Sequence, residues 1–377
     1  MKLTGLYLTL IAVFFALFSG CSGNGDGDPT SIELSTTWIA MTTSETRQLE
    51  ATIYSDGNIV DADIEWISGD NSIATVSGGV ISPVDTGIVE ITALSGAIES
   101  EPCSVHIAEE WILYSDGTQL RVITPDNDRD MAIPGTALSE YDIDGPMVWL
   151  ENGIAYHTLA PFNYSYLWYR PFGSEQAHMV TGDTIEPIYD IRPNLTGGIF
   201  LTVYQDIHTL NPSQTFSQYI NADHLYYTRS GVKLEDFDIS PDGASFVSAC
   251  RLGTSPRFVL FDLDGAASEP TDTLPVAYMA SCPRFNPTGD KIAYGYATTV
   301  GRVWLIETSG GSAVNIISEG QEVAGLDWSP DGTRLVMCIR NMVNEYELWI
   351  GDPETGATQK LTNAESSSER YFPQWVD

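Results

Sequence analysis

The sequence predicts an all-β chain in two folded parts: a β-sandwich over residues 31–108 and, over residues 109–377, a ring of six four-stranded sheets closed by its own C-terminal strand. Three observations lead there. A turn cassette, Leu326-Asp327-Trp328-Ser329-Pro330-Asp331-Gly332, recurs as Phe237-Asp238-Ile239-Ser240-Pro241-Asp242-Gly243 and again as Arg284-Phe285-Asn286-Pro287-Thr288-Gly289. Apolar residues alternate with polar ones in short runs throughout, the period of strands and not of helices. Finally, one repeat is divided between the two ends of the repeat region, so that joining the ends completes it.

The chain opens with Lys2 and an apolar run from Leu6 to Phe18, which suits a signal-peptide core and is short for a membrane span. The run stops at Phe18-Ser19-Gly20-Cys21, which resembles the lipobox of bacterial lipoproteins. The resemblance implies cleavage after residue 20 and acylation of Cys21, with palmitate among the chains, so that the membrane partner is reached through a lipid anchor. An ordinary secretory leader with an incidental cysteine is the alternative. Ser22 to Pro29 is rich in Gly, Asp and Asn, and residues 21–30 read as a flexible tether.

Residues 31–108 hold the first folded unit. Leu49, Ala51 and Ile53 alternate with polar residues, and Ser55-Asp56-Gly57-Asn58 has the composition of a hairpin turn. Cys103, Val105 and Ile107 share one strand face, which makes Cys103 a core residue; His106 falls on the opposite, exposed face. The stretch Trp66-Ile67-Ser68 through Ile73-Ala74-Thr75-Val76, followed by Gly87 and Ile91-Thr92-Ala93, resembles the group 2 bacterial Ig-like domain. That resemblance implies a spacer or adhesin module.

In the repeat region the apolar residue just before the turn serves as an anchor. Ile143, Ile191, Ile239, Phe285, Trp328 and Trp375 are spaced by 48, 48, 46, 43 and 47 residues. Within the cassette Pro pre-sets φ, Asp bonds its own backbone and Gly tolerates positive φ. Further β-runs follow the anchors, which gives four strands per repeat, the unit of a β-propeller. Trp375 stands near the C-terminus with no strands after it, while the runs at 111–114, 119–124 and 130–133 have no anchor strand before them. Pairing the two completes a sixth sheet and removes the exposed edges. The Ser-Pro-Asp-Gly cassette with its following apolar strand resembles the TolB-type propeller repeat, best at 237–261, 283–306 and 326–350. The resemblance implies a propeller that binds envelope partners.

Composition excludes several function classes. Fifty-one acidic residues face 17 basic ones, for a formal net charge of −34. Such a chain repels nucleic acid phosphates and anionic lipid surfaces. No Gly-x-Ser-x-Gly elbow, His-Glu-x-x-His or Gly-rich phosphate loop is present. His157, His178, His208 and His224 fall at different strand positions, so no histidine metal site and no cofactor is expected. Asp126-Asn127-Asp128-Arg129-Asp130 has the alternating carboxylates of calcium loops, but Met131 stands where such a loop needs Gly. Cys250 and Cys282 lie at positions where adjacent sheets allow a bridge; Cys338 repeats the position of Cys250, which favours plain packing instead. Trp168, Trp304 and Trp349 read as packing between sheets.

One regularity stands out as a candidate site. The residue before each anchor is Asp142, Asp190, Asp238, Arg284, Asp327 or Gln374. Either these side chains accept hydrogen bonds from the backbone of a neighbouring sheet, or they form an acidic ring that binds a cation or a basic partner. The expectation is a monomeric, lipid-anchored protein of the bacterial cell envelope, at the outer membrane. Its propeller would bind an envelope protein or surface glycan. The alternative is a secreted polysaccharide- or peptide-acting enzyme with its site at the channel mouth.

Overall fold

The computed structural model describes residues 28–376 apart from 139–141, 144, 161–163, 182–187, 195–196, 204–205, 213–224, 228–235, 253–254, 263–271, 277–279, 297–300, 321 and 363–371. The leader, Cys21 and His224 lie outside the described residues. Every regular element among the described residues is a β-strand.

The first unit holds its strands in three sheets. The largest joins Ile98–Glu99, Gly87–Ser95, Cys103–Ala108 and Trp38–Thr42, with Glu65–Ser68 on the free side of Gly87–Ser95. Period-two alternation sets its faces: Val89, Ile91 and Ala93 turn inward, while Ile88, just before them on the opposite face, is half exposed. Cys103, Val105 and Ile107 are fully buried on one face and pack with Ile39, Met41, Leu49 and Ile81. The hairpin turn forms where expected, with Asp56 and Gly57 both at positive φ (50° and 82°), the type I′ geometry. His106 is not simply exposed. Its ring lies 5.8 Å from that of Trp38, and burial, with Arg129 nearby, lowers its pKa.

Beyond residue 108 six sheets of four antiparallel strands follow one another. The split sheet joins Asp130–Ala132, Leu120–Ile123, Trp111–Ser115 and the C-terminal strand Gln374–Val376, with Trp111, Ile112 and Leu113 opposite Val376, Trp375 and Gln374. The second to sixth sheets begin with Met147–Leu150, Ile188–Pro193, Phe237–Ile239, Ala280–Phe285 and Glu322–Trp328, and each then adds three strands in chain order. These first strands touch one another in succession. The last of them touches Gln374–Val376, which in turn touches Met147–Leu150. A separate apolar cluster fills each gap between consecutive sheets: Ile191 and Leu201 pack against Val148 and Leu167, Phe200 against Phe237 and Phe246, Phe285 against Val247, and Trp375 against Val336. Trp168, Trp304 and Trp349 are half-buried against three of these clusters.

The turn cassette has two jobs. Within the turn the Ser329 hydroxyl sits 2.6 Å from Asp331 and accepts from the Arg334 N–H at 2.9 Å, while Gly332 takes φ +71°. Between turns, a Cβ on Gly332 would meet Pro287 at 3.3 Å, and one on Gly289 would meet Pro241 at 3.4 Å. The glycine of one sheet therefore seats the proline of the sheet before it.

Candidate functional site

The first strands bring most of the predicted row together. Asp190 accepts from the Phe237 N–H at 3.3 Å, Asp238 from the Phe285 N–H at 2.7 Å, and Asp327 from the Trp375 N–H at 2.9 Å. The Gln374 amide oxygen accepts from the Trp149 N–H at 2.6 Å. Each bond runs from the first strand of one sheet to the acceptor on the sheet before it. Asp190 and Asp327 also cap the N–H of the next residue in their own strands, at 2.9 and 3.0 Å. Bulges aim some of these side chains: register shifts precede Asp190 and Arg284, and Cys282, within the second shift, takes φ +51°.

Arg284 belongs to the same cluster. Its guanidinium donates to the carbonyls of Pro283 and Phe237 at 2.6 and 3.3 Å and lies 3.6 Å from Asp190. Its own carbonyl accepts from the Trp328 indole at 3.1 Å, which links the fifth and sixth sheets.

Asp142 does not join the row. It is exposed and precedes the second sheet's first strand, Met147–Leu150. The residue that occupies the anchor position there is Trp149, and Val148 stands where the other sheets carry the polar group. Tyr141-Asp142-Ile143 copies the tripeptides at 189–191 and 237–239 at the expected spacing, but the strand begins four residues after Ile143. The apolar cluster around Val148, Ile188 and Ile191 fills that seam instead.

The group that sequence reasoning missed is Arg192. It is buried and lies 3.0 Å from Asp190 and 3.6 Å from Asp238, and it donates to the Phe237 carbonyl at 3.2 Å. It occupies the position held by Ser240 and Ser329 in the clear cassettes. A basic residue there, two after an Asp in a chain so poor in basic residues, was the available signal.

Three carboxylates, Asp190 buried and Asp238 and Asp327 half-buried, thus gather around two buried guanidinium groups. Burial pushes the Asp238 carboxyl up to about 7 and that of Asp327 up to about 6, with Arg192 as the main opposing influence on both. Asp190 is likewise raised by burial against the pull of Arg192. Burial opposes the charge of Arg192, but Asp190 and Asp238 outweigh it and hold the guanidinium above its ordinary value. His157 is fully buried near Asp190, and burial lowers it to about 4, so it is neutral at ordinary pH. The cluster is an ion network committed to backbone donors across the seams. Breaking such a buried pair by deleting one partner costs about 3–5 kcal/mol.

Other sequence candidates are placed apart from it. Asp130 is engaged by the Tyr114 hydroxyl at 2.9 Å and by Arg121 at 3.0 Å, while Asp126 accepts from the Asp128 N–H, so the three carboxylates of that loop do not converge. Among the described residues no group of three or more His, Cys, Asp or Glu side chains is placed to hold a metal. Cys282 is a free, buried thiol that donates to the Ala324 carbonyl at 3.1 Å, so the bridge to Cys250 is not formed. Cys103 and Cys338 are buried thiols as well.

No protein-family model matches the sequence, and no curated protein matches it. Solved structures do resemble the fold. TolB from Acinetobacter baumannii is 12% identical with a TM-score of 0.53, over 77% of this chain and 80% of that one. A putative TolB from Agrobacterium tumefaciens gives 12% and 0.52, over 71% and 97%. A chain of the nidogen/laminin complex gives 10% and 0.54, over 71% and 98%. At such identities the likeness concerns architecture alone, and on that ground the chain carries a β-propeller fold of the TolB kind.

Proposed function

We propose that the protein is a binding scaffold of the bacterial cell envelope and not an enzyme. In this reading residues 1–20 are a leader, Cys21 is acylated, residues 31–108 form an Ig-like sandwich, and residues 109–377 form a six-bladed propeller closed by Gln374–Val376. The pairing of that strand with Trp111–Leu113 and the succession of touching first strands support closure. The observation that carries the functional reading is the commitment of the inner row. Asp190, Asp238, Asp327 and Gln374 each accept a backbone N–H from the next sheet, so the centre is spent on holding the fold. Recognition is then left to the loops between strands, which vary without disturbing the sheets. That one of the similar structures comes from a protein–protein complex supports a protein partner; a surface glycan is the other class.

Two experiments test the reading. Cross-linking pull-downs from envelope extract are compared between the full chain and a chain ending at residue 108. Specific capture that requires residues 109–377 supports the scaffold; equal capture by both rejects it. For the anchor, Cys21→Ser abolishes incorporation of labelled palmitate and releases the protein from membranes. A variant that stays membrane-bound after a high-salt wash contradicts the lipoprotein reading.

A further inference from the structure

We infer that the N-terminal unit is a clasp that locks the ring at its seal, not a freely jointed spacer. The inference is independent of the anchor and of any binding partner, because it rests on contacts within the chain.

The contacts all fall at one end of the sheets. In an antiparallel four-stranded sheet the first–second and third–fourth turns share one end. Arg47 donates to the Glu151 carbonyl at 2.8 Å, in the first–second turn of the second sheet. The N–H and hydroxyl of Thr37 both donate to Glu175, at 2.9 and 2.6 Å, in the third–fourth turn of the same sheet. Arg129 closes the third–fourth turn of the split sheet and donates back to the carbonyls of Ile107 and Gly87 at 2.9 and 3.2 Å. The unit therefore straddles two sheets, the split one and its neighbour, and spans the seam between them.

At that seam the C-terminal strand closes the ring through few contacts of its own. That strand is three residues long, and its staple to Trp149 is a neutral carboxamide instead of a carboxylate. This is also the seam whose apolar core contains residues of the first unit. Ala40 and Ala108 are buried in the cluster that holds Trp111, Leu113, Trp149, Phe172 and Val376, and Trp38 packs on it. The Trp111 indole donates to the Met41 carbonyl at 2.9 Å. Arg47 covers the same core from outside: its guanidinium stands 3.9 Å from the centre of the Phe172 ring and 5.9 Å from that of Trp149. The linker holds the other flank of the split sheet. Glu110 pairs with Arg334 at 2.6 Å, and Arg334 lies 4.8 Å over the ring of Trp375 in the closing strand. A group bound only to the closed form stabilises closure by mass action, and a tethered group does so at high effective concentration.

Hydrogen exchange on the full chain tests this. In Arg47→Lys, which keeps the charge but loses the planar stack and the fork, amides of 111–115 and 374–376 are expected to exchange at least tenfold faster. Those of 245–252, across the ring, are expected to be unchanged. Thr37→Val removes only the hydroxyl bond to Glu175 and gives a smaller acceleration at the same segments; it decides the matter if Arg47→Lys fails to fold. Unchanged exchange at the seal in a folded variant, or acceleration spread evenly over all six sheets, overturns the clasp.

Discussion

Replacing Arg192 by Met is the sharpest perturbation of the central network. Met keeps the length and apolar stem but removes the guanidinium that faces Asp190 at 3.0 Å and Asp238 at 3.6 Å and donates to the Phe237 carbonyl. Loss of one partner from a buried ion network costs about 3–5 kcal/mol. The pH dependence follows from the carboxylates. Asp238 at about 7 and Asp327 at about 6 lie above the roughly 3.9 of an unfolded chain. The folded state therefore holds protons that the unfolded state releases, and stability falls as pH rises from near 4 through these values. Arg192 pulls both pKa values down, so its removal raises them and carries the fall above pH 7. The variant's deficit should thus be larger at pH 8 than at pH 5.5, where Asp238 and Asp327 are already largely protonated. Urea unfolding of wild type and variant at the two pH values measures it. A deficit below about 1 kcal/mol, or one equal at both pH values, refutes the reasoning.

Three further outcomes are expected. Gly332→Ala forces a Cβ into positive φ and against Pro287, so it should cost about 1–2 kcal/mol in the same urea assay. Deleting Tyr371 to Asp377 removes the closing strand and exposes two sheet edges; circular dichroism melts should lose their cooperative transition and light scattering should show aggregation. Burial, with Asp236 nearby, raises the Cys282 thiol well above its ordinary value, so at pH 8 it should resist iodoacetamide in the folded protein and react on unfolding, read by peptide mass mapping.

Much of the architecture was legible because it repeats. Five anchors, from Ile191 to Trp375, fall in the first strands of their sheets, and the cassette turns take the positive φ that their glycines allow. The first anchor was misread because Tyr141-Asp142-Ile143 has the right residues at the right spacing, and only backbone pairing separates a strand from its look-alike. Arg192 escaped notice because its position carries Ser in the clear copies; burial beside two Asp residues is a property of converging strands and not of local sequence. The contacts of Arg47 and Arg129 were invisible for the same reason. On a linear reading they are ordinary surface charges, and only the fold sets Arg47 over Phe172, more than a hundred residues away.

The central claim is that the inner carboxylates hold the seams and do not recognise a ligand. It is tested most directly by urea midpoints of Asp190→Ala, Asp238→Ala and Asp327→Ala beside the corresponding Asn variants. Ala leaves the N–H of Phe237, Phe285 or Trp375 without its acceptor, whereas Asn can still offer an oxygen. The account predicts a loss of about 1–3 kcal/mol for Asp327→Ala, which loses its backbone bonds, and about 3–5 kcal/mol for Asp190→Ala and Asp238→Ala, which also take a partner from Arg192. It predicts a smaller loss for Asn at 327, and a more substantial one at 190 and 238, where the ion pair with Arg192 is lost as well. Three Ala variants that unfold at the wild-type midpoint would contradict it.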